Sequence, residues 1–598
     1  MRNGFHIDVK RLFQVLLVVA IVCIVSLGCK KKDKDDPIPV MPEDGPSAGF
    51  IASPLTGEAP LQVQFYDAST GEEITDWSWD FDNDGTPDST NQSPLHTYTN
   101  PGWYTVSLTV TNAEGSDTCT KEQYILVAAS IWYVNCAVTA LGDGTSLFTA
   151  FKTIQEGLTA ASSDHLVLVS NGTYQGAGNK DLDFAGKSVY LKSSGGSTYC
   201  IIDCESSGRG VHFYTNETED AVVDGFTITN GSIADKGGAI FCNNGACPTI
   251  ANCNITSNST TSNNDGGGIA LRYSSDATVR NCVITGNTGY AGGGVSCDES
   301  DATFTDCKIN SNTSTYSGGG VHCEDSSPTF TDCEIKSNTK CGIRGDTSSP
   351  TFTNCIIEGN TGAAGGGGNF SYGGGPLFVG CKINGNTATS GDGGGIRLFA
   401  TKKTLSQAFV NCLIQNNSAT SDGGGIALDD QAKPILINCV ITGNTAGGDG
   451  GGVWLSYRCD AHFINCVVAN NSSTGNGGGL CPVTDTDIVV DNSIIWGNAA
   501  TGLGNQIYAL STGMPSTATL NYCNYANGTG DIHETAAVIA TACKSLDPAF
   551  TDGVFHIHPF STCKNSGSNA LVPGGITTDL DGNDRIVDTV DMGAYELK

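Results

Sequence analysis

The chain is short of positive charge. Its 598 residues hold 30 lysines and arginines against 61 aspartates and glutamates, a formal net charge of −31. A surface that acidic repels nucleic acid and anionic lipid, so electrostatic binding to either is excluded as the main role. Charge of either sign is sparse too: 15% of residues are charged, too few for a disordered polyelectrolyte. The 25 cysteines, about 4% of the chain, fall well below the density of a small disulfide scaffold. Long apolar runs are missing; Val15 to Val25 is too short to span a bilayer. Glycine is abundant instead, with 78 residues, but it follows no Gly-X-Y period, which excludes collagen.

The one apolar run reads as an address. Arg2, Lys10 and Arg11 precede it, and Ser26-Leu27-Gly28-Cys29 closes it. The arrangement resembles a bacterial lipoprotein signal, which implies removal of residues 1–28 and acylation of Cys29. The expected location is therefore the bacterial outer membrane or cell surface, by lipid anchor. Residues 29–47 are charged and proline-rich and read as an extended tether.

Residues 48–128 alternate apolar and polar positions in short runs, such as Leu61 to Phe65 and Trp103 to Val110, as in an antiparallel sandwich. Trp79-Asp80-Phe81, His96-Thr97-Tyr98 and Pro101 to Val106 resemble the PKD domain, an immunoglobulin-like extracellular spacer. Asp80, Asp82, Asp84 and Asp88 follow a D-x-D-x-D-G spacing around Gly85 that gathers oxygens as calcium loops do, without the later glutamate of an EF-hand. Solvated turn aspartates are the alternative.

Self-similarity dominates the rest. Asn/Asp-Cys-x-Ile-x-x-Asn recurs with cysteines at 253, 282, 307, 333, 355, 381, 412, 439 and 466, between 22 and 31 residues apart, and Ser493 stands in a tenth copy. Most units add a Gly-Gly-Gly-Ile/Val element and a third strand before the cysteine. Three short strands per unit with period-two alternation predict a right-handed single-stranded parallel β-helix. The fold class is all-β, a PKD sandwich followed by that solenoid. Stacked coils make columns: buried cysteines, and asparagines from 258 to 498 whose amides bond along a ladder. Cysteines outside the column, including Cys200 with Cys204 and Cys242 with Cys247, are candidates for disulfides.

Phe151, Ile154, Leu158 and Ala161 lie at helical spacing and predict a helix that plugs the first coil within residues 130–190. Coils then fill 191–545. This whole stretch resembles the pectin-lyase-like superfamily. Asp579 to Asn583, Arg585 and Asp591 to Glu596 resemble a C-terminal signature of bacterial surface β-helix proteins, so 546–598 is expected to close the coil.

Taking the aliphatic residue after each glycine run as inward, the outward positions concentrate Asp298, His322, Glu324, Arg344, Asp346 and Arg397. Asp298, His322, Glu324, Arg344 and Arg397 are the candidate catalytic set if the protein is a polysaccharide lyase or glycoside hydrolase. The Asn-Thr-Asp and Gly-His-Gly motifs of polygalacturonases and the Arg-x-Pro-Arg stretch of pectate lyases are absent. Asp392, Asp422 and Asp449 precede three consecutive glycine runs and offer a second place for calcium, or splay as hydrated turns. Tyr273, Phe399, Trp454 and Tyr457 are candidates for stacking on sugars. The favoured expectation is a surface-anchored binding or adhesion protein for glycans or a cell-surface partner, with no nucleic acid involved.

Overall fold

A computed structural model describes residues 45–139, 142–399, 408–509, 515–533 and 538–597; Cys29 and most of the tether fall outside these residues. The first unit is a β-sandwich. Phe50–Ser53, Leu61–Asp67 and Leu95–Tyr98 form one sheet; Thr56–Glu58, Asp76–Asp80, Gly102–Asn112 and Gly115–Ala128 form the other. The alternating apolar positions meet between them, with Phe50, Val63, Phe65, Trp79 and Val106 fully buried or nearly so.

From Ile131 the chain winds into a parallel β-helix with three long sheets of 14, 14 and 16 strands. We name them by what they point inward. The phenylalanine sheet precedes each cysteine, and its Phe304, Phe330, Phe352, Phe378 and Phe409 stack at 4.7–5.1 Å. The isoleucine sheet follows the cysteine and aligns Ile284, Ile309, Ile335 and Ile357. The glycine sheet follows the glycine run. Ring spacing near the ~4.8 Å separation of strands shows that successive coils stack in register.

The predicted asparagine ladder is present. Asn360 Nδ2 donates to Ile335 O at 2.8 Å and to Asn386 Oδ1 at 3.0 Å, and the Asn360 N–H shares that oxygen at 3.0 Å. The pattern repeats from Asn258 until Asn498 donates to Gln506 Oε1 at 2.8 Å. The Nδ2 amide of each ladder asparagine thereby finds its acceptors without water.

The cysteines differ from the expectation. Cys200, Cys204, Cys242 and Cys247 are free thiols. Cys200 belongs to the buried column, since its strand registers with that of Phe226 and then Cys253; Cys523 and Cys543 extend the column beyond Ser493. Strand register aims these side chains into the core, where a thiol fills space as a small apolar group.

The helix Ile154–Ala160 forms, capped by Thr153 and Glu156, and buries Ile154 and Leu158 against the first coil. Two segments then cover the outside. The PKD unit sets Leu126, Ala128 and Trp103 on Leu166, Tyr190 and Val222. Residues 546–597, expected as a closing cap, leave the last coil and run back along the flank. Phe555, Ile557, Met592 and Tyr595 pack on Val440, Val467 and Ile494, while Ile576 packs on Val410, Ile437 and Ile464. Among the described residues no helix is long and apolar enough to cross a membrane.

Candidate functional site

The glycine sheet is built by its turns. At Gly318 the backbone turns left-handed, φ +62°, and a Cβ on Gly319 would meet Thr339 O at 1.8 Å. The strand Val321–Glu324 then alternates: Val321 and Cys323 point in, His322 and Glu324 out. Register aligns Ser296, His322, Arg344, Asn369 and Arg397 in one outward column and Asp298, Glu324, Asp346, Ser371 and Phe399 in the next. Asn369 and Ser371 join because Gly368 occupies the rung that an aliphatic residue takes elsewhere.

These columns do not gather all the predicted residues. Asp298 and Arg397 stand four rungs apart, roughly 19 Å along the axis, and each has a local partner. Arg272 pairs with Asp298 at 2.7 Å and lies over the Tyr273 ring. Arg397 lies over Phe399 and reaches Asp429 at 3.6 Å. Two of the aromatics proposed for sugars are thus taken by guanidinium groups.

Between these ion pairs opens a cleft of about 560 Å³ lined by Asn263, Asp265, Tyr290, Ala291, Tyr316, His322, Glu324, Asp346, Thr347 and Tyr372. Its floor is Asp346, held by Arg344 at 2.9 and 2.5 Å, with His322 Nε2 at 3.7 Å. Burial works against the Asp346 carboxylate, but hydrogen bonds from His322 and Arg344 hold its pKa below the usual value. Arg344 itself is mostly buried and spends its charge on that carboxylate. Asp265 pairs with Lys236. Glu324 is exposed, and among the described residues its carboxylate has no partner.

The rim is aromatic. Tyr290 and Tyr316 stack with centroids 5.0 Å apart and planes 6° from parallel. Tyr316 and Tyr372 are largely exposed. The sequence reading missed all three tyrosines. The signal was there: Tyr290 and Tyr316 each stand two residues before a glycine run, so the same turn delivers both to one side.

The acidic positions divide. Asp392, Asp422 and Asp449 form a ladder in which Asp422 N–H donates to Asp392 Oδ1 at 3.2 Å and Asp449 N–H to Asp422 Oδ1 at 2.6 Å. Asn476 N–H continues it to Asp449 at 2.6 Å. Burial, with the charges of Asp392 and Asp449, pushes Asp422 above the ordinary carboxylate value. These side chains cap backbone donors of the next coil. In the PKD unit, oxygens of Asp80, Asp82 and Asp88 converge, whereas Asp84 holds its own turn through the Thr86 N–H at 2.7 Å.

Comparison with known proteins agrees with this architecture. Residues 46–127 match the PKD domain family, and residues 293–468 match the right-handed β-helix region. The chain is a PKD domain joined to a right-handed parallel β-helix. Residues 160–372 also match the periplasmic copper-binding protein (NosD) family. Among solved structures, pectate lyase Pel9A aligns over 79% of this chain and 97% of its own at 12% identity and a TM-score of 0.33. A family 28 exopolygalacturonase from Yersinia enterocolitica aligns over 84% and 97% at 10% identity and 0.21. No curated protein matches the chain. The periplasmic family and the PKD domain point to a periplasmic or extracellular protein.

Copper does not fit the residues of the matched stretch. Among the described residues, the one group of three or more histidine, cysteine or acidic side chains whose donor atoms converge is Asp80, Asp82 and Asp88, outside that stretch. His165 Nδ1 accepts from Trp132 and Ser162, His212 stacks on Phe241, His322 Nε2 faces Asp346 at 3.7 Å, and the thiols of the column face the core.

Proposed function

We propose that the chain is a lipid-anchored surface protein whose β-helix binds a glycan in the glycine-sheet cleft. The observation that carries this is the stacked Tyr290–Tyr316 pair beside a polar floor, since flat aromatic faces take the apolar faces of sugar rings while carboxylates accept from their hydroxyls. Three carboxylates and no lysine or arginine line the cleft, which favours neutral or amine-bearing sugars over polyuronates. Binding is favoured over lyase chemistry for a specific reason: Arg344 is tied to Asp346, so no free guanidinium faces a substrate. Lipid attachment at Cys29 supplies the surface location.

The test is retention on immobilised neutral, amine-bearing and uronate polysaccharides, with product formation followed in parallel. Tyr316→Ala is expected to weaken retention about tenfold, roughly 1.4 kcal/mol, without moving the melting temperature. Turnover abolished by Glu324→Gln would replace this reading with an enzymatic one, a hydrolase or lyase acting in the same cleft.

A further inference from the structure

The PKD domain carries a cluster that the cleft does not use. The strand Asp76–Asp80 runs into the turn Phe81 to Asp88, and donor oxygens of Asp80, Asp82 and Asp88 lie within 4.8 Å of one another. Asp80 is only 8% exposed. One of its oxygens accepts the Gly85 N–H at 2.8 Å, but Oδ1 is buried and accepts nothing. A carboxylate oxygen removed from water without a partner is costly, so native structures rarely leave one that way.

Nor does the protein neutralise the cluster. From Pro37 to Thr120 the sequence contains no lysine or arginine. Lys121 is committed elsewhere: its Nζ donates to Phe50 O at 2.6 Å and sits over the rings of Phe50 and Tyr124. His96, the domain's one histidine, lies tilted against Phe81 with ring centroids 4.3 Å apart, and burial holds its pKa down.

We propose that this turn is a calcium site, with Asp80, Asp82 and Asp88 as its carboxylate ligands. Oxygen donors alone select a hard cation. Calcium accepts several carboxylates in irregular geometry, whereas magnesium demands a near-ideal octahedron and keeps its waters. A bound ion would satisfy Asp80 Oδ1 and tie the end of the strand to Asp88, whose Oδ2 already holds the Phe81 N–H at 2.7 Å. The turn would then be clasped at both ends.

The test uses the full chain stripped of divalent ions, with terbium chloride and then calcium chloride as probes. Trp79 is fully buried beside Asp80 and serves as the sensitiser. Terbium emission is expected on excitation of tryptophan, with calcium displacing it in the ~0.1–1 mM range of extracellular modules. Asp82→Asn, at an exposed position, is expected to weaken calcium at least about tenfold while leaving the calcium-free melting temperature unchanged. Asp392→Asn is the control and should bind as the parent does. Absence of both emission and calorimetric heat at millimolar calcium overturns the proposal. So does wild-type affinity in both Asp82→Asn and Asp80→Asn.

Discussion

One column of the phenylalanine sheet passes through three regions of the molecule and changes character twice. It begins with Leu166, Tyr190, Val222 and Thr249, continues as Thr278, Thr303, Thr329 and Thr351, and turns apolar again at Leu377, Ala408 and Ile435 before running on through His462 and Val489. Register and strand type hardly vary across these coils, and the inner position stays apolar throughout, from Val167, Leu191 and Val223 through Phe304 to Phe409 and on to Leu436. What varies is the cover. Leu166, Tyr190 and Val222 lie under the PKD domain and Leu377, Ala408 and Ile435 beside the returning tail, while Thr278, Thr303, Thr329 and Thr351 are half-buried or exposed. The inner face of a coil is thus dictated by its neighbours in the stack, and the outer face by whatever lies upon it. The uncovered coils are also the ones whose glycine sheet opens into the cleft.

The sharpest way to break this comparison is to place the same charge at two positions of one column. Thr331, Thr353, Val379, Val410, Ile437 and Ile464 share a register. Ile464, 2% exposed beneath the tail, should lose about 3 kcal/mol or more on Ile464→Asp, because an unpaired carboxylate replaces a buried aliphatic group. Thr331→Asp should fall within about 0.5 kcal/mol. Denaturant titration followed by fluorescence of Trp496, which packs beside the tail, measures both. Equal costs would show that the tail does not hold its face closed.

Much of the fold could be read from the chain because each coil repeats the same local demand. The asparagine column was legible since an amide that must bond the coils on either side admits few other residues. The cysteine column was legible in part: Cys200, Cys523 and Cys543 belong to it but lack the full repeat motif around them. Position along the axis was harder. Alternation placed Asp298 and Arg397 correctly as outward, yet outwardness says nothing about how many rungs separate two side chains. The tail was hardest, because its contacts join residues such as Asn492 and Ser568, which no period relates. The switch from threonine to leucine and isoleucine along one column was nonetheless visible in the sequence, and it marks where cover begins.

A smaller effect should appear with pH, again in the tail alone. Burial and the nearby Asp591 push Glu596 up to about 7. His556 sits between Asp552 at 2.5 Å and Asp581 at 2.7 Å; burial opposes its charge, but the two carboxylates raise its pKa. Both groups bind protons more tightly when the tail is folded. Their contribution is complete at low pH, and for Glu596 it declines from about 4.5, the ordinary glutamate value, until it is lost as pH rises through about 7. The His556 share is lost above 6.5, its ordinary value. Hydrogen exchange, corrected for intrinsic rates, should show tail protection falling between pH 5 and 8 while the threonine-faced coils stay constant. Glu596→Gln should flatten the lower part of that profile.

The smallest effect is expected where the PKD domain meets the first coils. Trp103 packs on Tyr190 with centroids 6.1 Å apart, so Trp103→Ala removes the largest aromatic contact of that interface, about 1 kcal/mol. The domain should nevertheless stay in place. Only Ala129 and Ser130 separate its last strand from Ile131–Val134, which is already the first strand of the phenylalanine sheet. The Ala129 N–H is fixed to Asp164 O at 2.8 Å, and Arg280 reaches Gln123 at 2.7 Å. Small-angle scattering should therefore show an unchanged maximum dimension, and calorimetry a small downward shift confined to the first transition. A domain that swings free in Trp103→Ala would mean that this side chain, and not the two-residue junction, keeps Leu166, Tyr190 and Val222 covered. The apolar start of the column would then owe its cover to a single ring.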